Sequence, residues 1–308
     1  MNPIREISKR PFSSGILLVC LLLLVTLPFY AQHYLVILLT SIIMYIVLTV
    51  SWTIFSGPTR YISLASAAFF GVGVYVSAVV GQVLPLPVLV AFGGLVSFIL
   101  ALFMGLLTLR LKGMYFIIFT FGVSELIRHF LLWFETNFTG TVGRWVVAVD
   151  HTTVYYVMLV IFVIVILTGF LIGRSRYGMA LRSIGENEEA SVHIGIGVVP
   201  LKTITFAISA FFMGAAGAIM ATRWTYIDPT IAFNPLFSFM PVLMAIFGGV
   251  GRLYGPVIGA ALFALLEEVL ITEFPYYYML LFGIILIAVI LFLPQGLVGL
   301  ITKRRTGD

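Results

Sequence analysis

The chain has 308 residues, of which 61% are hydrophobic and only 9% charged, with a formal net charge of +5. A soluble domain carries roughly 25% charged residues, and the mean hydropathy here is +1.16, so a water-soluble globular protein is excluded. The excess of positive charge follows membrane topology and not nucleic-acid binding, and the single cysteine, Cys20, excludes an intrachain disulfide.

Ten apolar segments are expected, at about 14–30, 34–55, 61–81, 86–109, 114–134, 154–172, 203–222, 236–250, 255–272 and 276–293. A helix crossing a hydrocarbon core of about 30 Å needs about 20 residues. Backbone polar groups find no water there, so only helices and closed barrels span it. The runs are continuous, not alternating, which selects helices. The predicted fold is an all-α polytopic membrane bundle of about ten spans, forming one domain over residues 1–308. The first segment resembles a signal peptide, but no small-residue cleavage site follows it, so it reads as a retained span. The eighth ends in "AIFGGVG" and is short, which predicts a broken or re-entrant segment near 236–254.

Orientation follows from the Lys and Arg bias of the short loops. With both termini cytoplasmic, 14 of the 17 basic residues fall on the cytoplasmic side, and Arg128, Arg144 and Arg223 remain outside it. The outer ends carry Tyr30, Trp133, Tyr155, Trp224 and Tyr276 to Tyr278, suited to an interfacial belt. Outer loops 135–153 and 223–235 present Arg144, Asp150, Arg223 and Asp228 as exposed contact residues.

No phosphate-cradling G-x-x-x-x-G-K-[ST] occurs, no His/Cys/carboxylate cluster has metal spacing, and no nucleophile elbow is present. The chain is therefore read as non-enzymatic, with no metal or cofactor of its own. Any ATP it depends on, with its magnesium, binds another chain. Glu125, Arg128 and His129 share one face of a span by their i, i+3, i+4 spacing. They form either an internal ion pair or part of a proton path. Gly251, Gly255 and Gly259, with Gly214 and Gly217, mark close helix packing. "SLASAAFFGVGVY" sets Ser66, Phe69, Phe70 and Tyr75 on a segment that suits either a translocation path or a lipid-facing stripe.

Residues 173–202 form the one long charged cytoplasmic loop. Met179, Leu181 and Ile184 are expected on one side of a surface helix, followed by a glycine break. A topology anchor needs Arg and Lys. It does not need Glu186, Glu188 and Glu189, and charge of both signs points to docking of a soluble protein.

This loop resembles the E-A-A-x-x-x-G motif of bacterial ABC-importer permeases, with Glu189, Ala190 and Gly195 in place and Ser191 where the second alanine stands. "LRLKGMYFIIFTFGVSELIR", "TGTVG", "SRYGMALRSIGENEEA", "KTITFAISAFFMGAAGAIMA", "IFGGVGRLYGPVIGA" and "LPQGLVG" follow in order. With the "SLASAAFFGVGVY" element they make the chain similar to LivM-type permeases of branched-chain amino-acid ABC transporters. Ala65-Ser66 stands where relatives often carry Gly-Gln. The resemblance implies a multi-pass protein of the bacterial inner membrane. It also implies a second, LivH-type permease, two cytoplasmic ATPases and an extracytoplasmic binding protein. ATPase coupling would run through Arg182, Glu186, Glu189, Ala190 and Gly195. Urea, amides or other small solutes remain alternative cargoes. A proton-coupled carrier using Glu125 and Arg128, or a channel subunit, are the readings of a different class.

Overall fold

The computed structural model describes residues 22–109, 111, 113–251, 254–277, 280–285 and 287. About half of each of the expected first and tenth segments, Cys20 and both termini lie outside the described residues, as do Arg110, Lys112 and Arg252.

The architecture is an all-α membrane bundle. Helix α1 is His33–Thr59, α2 Ser66–Val80, α3 Leu86–Thr108, α4 Met114–Phe134 and α5 His151–Arg174. Two short helices follow, α6 Arg176–Glu186 and α7 Glu188–His193, and then α8 Val198–Ala221, α9 Pro229–Ala232, α10 Leu236–Gly248 and α11 Tyr254–Glu273. Seven helical stretches among the described residues are long and apolar enough to cross a membrane. One of these joins α9 to α10 as Pro229–Gly248, and α2, at 15 residues, is shorter than the rest.

Two helices form the axis. Helix α1, about 40 Å long at 1.5 Å per residue, packs on α5, α8, α10 and α11, and α8 packs on α2 and α3. The interior of α1 carries polar residues with no water to satisfy them. Thr40, Thr49, Ser51, Thr53 and Thr59 each donate to the carbonyl four residues earlier, which closes each hydroxyl within the helix. Around α8 the backbones approach closely. A Cβ on Gly73 would stand 1.9 Å from the Gly214 carbonyl oxygen, and one on Gly217 would stand 2.1 Å from that of Phe70. Without a hydrophobic force between helices in lipid, such small-residue contacts supply the packing.

Helix α2 begins at Ser66, five residues later than the sequence suggests. Residues 60–65 are irregular, and the segment turns inward along its length: Arg60 and Ile62 are exposed, whereas Ser63 and Ala65 are buried. Their backbone is bound by four side chains from three helices. Trp52 Nε1 donates to the Ser63 carbonyl (2.8 Å), and the Leu64 amide donates to Thr120 Oγ1 (3.1 Å). The Leu64 carbonyl accepts from Ser124 (3.3 Å) and Ser238 (2.7 Å), and Ser238 also accepts from the Ala67 amide (3.1 Å). Non-helical backbone at membrane depth is tolerated only where protein satisfies it in this way.

The expected break near 236–254 takes the form of a shortened span. Helix α10 has 13 residues with Pro241 inside it, about 20 Å of rise. It turns at Gly249 (φ +95°) and pairs with α11. Gly255 and Gly259 make this contact: their Cβ positions would lie 2.1 Å from the Gly249 oxygen and 2.2 Å from the Met244 oxygen. Gly251 does not join them. It is exposed in the turn with nothing within 4 Å, because the chain has already left the helix there. Gly248 takes its place, as the residue whose Cβ would strike the Gly255 oxygen at 1.9 Å.

Candidate coupling surface and the opposite end of the bundle

Arg60, Arg174, Arg176, Arg182 and Lys202 sit where α1 and α5 end and α8 begins, so they gather at one end of the bundle. The charged stretch between α5 and α8 is two short helices, and residues 198–202 already belong to α8. Ser175 caps α6 through Gly178, and Asn187 caps α7 through Ala190. Leu181 and Ile184 of α6 are buried. Met179, expected beside them, is 62% exposed. Two residues on a helix differ by about 200°, so it lies opposite Leu181. Gly178 occupies the inner face instead, with its Cβ position 2.2 Å from the Ile172 carbonyl oxygen.

The expected coupling residues lie along this surface. Arg182 reaches the Gly173 carbonyl at 3.5 Å, and Glu186 pairs with Arg60 in the open. Glu189 and Ala190 are exposed on α7, and Gly195 turns the chain at φ +85° toward α8. Ser191, in the place of the motif's second alanine, is fully buried. It donates to the Asn187 carbonyl and shares a 2.9 Å hydrogen bond with Ser183, tying α7 to α6. Tyr177, Met179, Val192 and Ile194 are each exposed in the same stretch as these charges.

The strongest link to the bundle was not visible as a local pattern. Glu188 Oε1 accepts from Lys202 Nζ at 3.0 Å, and Glu188 Oε2 accepts from the Tyr61 hydroxyl at 2.6 Å. Lys202 is fully enclosed; it also donates to the Leu109 carbonyl at 3.1 Å and lies 4.2 Å from the Tyr61 ring centroid. Helix α7 is thereby joined at one carboxylate to α8, to the end of α3 and to the irregular segment before α2.

The four expected path residues are all interior, which removes the lipid-facing reading. Ser66 and Phe69 line a narrow crevice, too tight for a water molecule, with Ser56, Ser63 and Ser209, and the Ser56 and Ser66 hydroxyls lack a hydrogen-bond partner. Phe70 instead packs on Phe237 with ring centroids 4.4 Å apart, and Tyr75 on Phe233 at 5.7 Å.

Glu125 and Arg128 close on each other within α4 at 3.1 Å, and His129 Nδ1 lies 2.9 Å from the Glu125 carbonyl oxygen. Among the described residues no ionisable group of another helix joins them.

At the opposite end, the two outer loops are clipped together. Strand β1, Arg144–Trp145, pairs antiparallel with β2, Tyr226–Ile227. Beneath the clip Glu135, buried in a π-helical turn, accepts from the Gly143 amide (2.8 Å) and pairs with Arg144 (3.3 Å). Of the four charged residues expected to be exposed here, only Asp150 is. It caps α5, and its hydrogen bonds with Thr152 hold its carboxyl below the usual range. Arg144 is drawn in by Glu135. Asp228 is half-buried as the cap of α9, and half-buried Arg223 donates to Ser41 Oγ at 2.9 Å.

A family model described as "Branched-chain amino acid transport system / permease component" matches residues 34–290. The chain belongs to this family. It is a multi-pass permease, 27% identical over 91% of its length to the high-affinity branched-chain amino acid transport system permease protein LivM of Salmonella typhimurium, covering 74% of that protein. It is 26% identical to LivM of Escherichia coli with the same coverage. The xylose transport system permease protein XylH of Haemophilus influenzae is 30% identical over 46% of this permease and 39% of its own chain. No solved structure matches.

Proposed function

We propose that this chain is the membrane permease subunit of a binding-protein-dependent ABC importer in a bacterial inner membrane. In this reading it moves branched-chain amino acids inward, driven by ATP hydrolysis on partner subunits. The observation that carries the proposal is the LivM likeness over 91% of the chain. The likeness to XylH covers less than half, which favours an amino acid over a sugar.

The physical support lies at the charged end of the bundle. The α6–α7 stretch offers exposed apolar side chains interspersed with charged ones, which suits a soluble protein surface. A partner shifts a two-state equilibrium only by interacting differently with the two states. Through Glu188, a force on α7 acts on α8, α3 and the irregular segment together. The clipped outer loops, with Trp145 74% exposed, are the surface for the binding protein. A second, LivH-type permease would complete the path.

The test is uptake of leucine into proteoliposomes holding the complete complex, with ATP inside the lumen that faces the ATPases, and with xylose and urea as competitors. Inhibition by other branched-chain amino acids alone supports the reading. Uptake by this chain without ATP, or selective inhibition by xylose or urea, overturns it. Glu189→Lys or Gly195→Ala should leave the complex assembled but reduce uptake per ATP hydrolysed several-fold; unchanged coupling in both removes the docking role.

A further inference from the structure

A pocket of about 250 Å³ lies between α1, the end of α8, α10 and α11. This is just below the range of drug-sized sites, about 300–1,000 Å³, and suits a ligand of only a few heavy atoms. Ser41 and Tyr45 enter it from α1, Arg223 from the end of α8, and Glu267 and Glu268 from α11, while Met220, Phe237 and Ile42 supply apolar wall. The pocket sits toward the first half of α1, about 20 Å along that helix from the end that meets α6 and α7. It adjoins the clipped outer loops, since Arg223 and Trp224 lead directly into β2.

The charges in this pocket face one space without closing on each other. Among the described residues Arg223 forms no ion pair within 4.0 Å. Its Nη1 donates to Ser41 Oγ, and Glu268 is engaged by the Tyr34 hydroxyl at 2.6 Å. Ionisable groups at membrane depth are expensive and normally pair. Here one cation and two carboxylates stand around an apolar cavity that keeps them apart.

We propose that this pocket binds an apolar amino acid as its zwitterion. The substrate carboxylate bridges to the Arg223 guanidinium, whose planar fork suits two parallel hydrogen bonds. The ammonium group lies against Glu267 and Glu268, and the side chain rests on Met220, Phe237 and Ile42. A sugar or urea offers no charge to either side. The inference rests on the reading of the chain as an amino-acid permease and names the residues that receive the substrate on the side where a binding protein would release it.

The experiment uses the complete complex in phosphatidylcholine proteoliposomes, with L-leucine as transported probe and L-leucinamide, which lacks the carboxylate, as competitor. Wild type should prefer leucine strongly over leucinamide. Arg223→Gln should raise the KM for leucine at least tenfold and abolish that preference. Glu267→Gln should raise the KM with the preference kept, because the carboxylate contact survives. Arg223→Lys, which keeps the charge and loses the fork, should fall between wild type and Arg223→Gln and serves if Arg223→Gln does not assemble. KM and preference within twofold of wild type in the assembled variants overturn the site while leaving the permease reading intact. A wild-type complex that imports xylose and not leucine overturns the permease reading itself. Adding phosphatidylethanolamine, whose headgroup is also zwitterionic, should leave the KM unchanged; a KM that follows the lipid in wild type but not in Arg223→Gln assigns the pocket to lipid and overturns the site.

Discussion

Lys202 Nζ lies 3.0 Å from Glu188 Oε1, and the lysine side chain is fully enclosed while the glutamate keeps 23% exposure. This asymmetry has an energetic consequence. Removing one partner of a buried pair leaves an uncompensated charge, typically at a cost of about 3–5 kcal/mol. Glu188→Gln removes the negative charge facing the buried ammonium, and should lower stability by about 3 kcal/mol. Lys202→Met leaves a carboxylate that water can reach, and should cost less. Thermal unfolding of the purified permease in detergent orders the two; a milder Glu188→Gln would contradict the role given to Glu188. The exposed Arg60–Glu186 pair serves as the control, and Arg60→Gln should change stability by no more than about 1 kcal/mol.

The glycines of the α10–α11 hairpin separate packing from turn formation. Gly259→Ala drives a methyl group toward the backbone oxygen of Met244, which can yield only if the helices part. Overpacking costs about 1–3 kcal/mol, and the loss should appear as a lowered Tm. Gly251→Ala meets open space and should stay within about 0.5 kcal/mol of wild type. Equal effects at both positions would refute this geometry.

Ser238 bridges the Leu64 carbonyl and the Ala67 amide. Ser238→Ala strands the buried Ala67 amide and leaves the Leu64 carbonyl only its longer bond from Ser124; an unsatisfied buried group costs about 1–3 kcal/mol. Hydrogen exchange should quicken at the Ala67 amide before it does in the middle of α8. Unchanged exchange there would show that the segment does not depend on this hydroxyl.

On the outer surface, Trp145→Ala removes a large exposed ring from the clip and should leave Tm unchanged. If the clip receives the binding protein, affinity should fall about tenfold or more, the scale of an aromatic anchor, as read by titration against nanodisc-embedded complex. Undiminished affinity would move the docking surface elsewhere.

The long helices were legible because lipid demands continuous apolar runs, and α3, α4 and α5 begin and end within three residues of where hydropathy places them, while α8 starts five residues earlier than expected. The start of α2 was not. Tyr61 to Ala65 are as apolar as a helix, and the hydrogen-bond partners that let the chain unwind there, Thr120, Ser124 and Ser238, come from distant helices. The charged loop announced itself by composition, yet its principal tie, Glu188 to Lys202, carries no local spacing rule. Lys202 read only as a topology signal. The same applies to Arg223 and Glu267, which share a pocket only once α8 and α11 are folded against α1. Met179 was misplaced because a two-residue step looks like one face in a list of apolar residues and is nearly opposite on a helix.

The bonds from other helices that hold residues 63–67 end on main-chain atoms: the Ser63 carbonyl, the Leu64 amide and carbonyl, and the Ala67 amide. The side chain of Leu64 takes no part in its own fastening. Mutational tolerance should therefore be inverted around this segment. Leu64 can vary among apolar residues of similar size, whereas Trp52, Thr120, Ser124 and Ser238, far from it in the chain and unremarkable by type, cannot surrender their polar atoms without unfastening it.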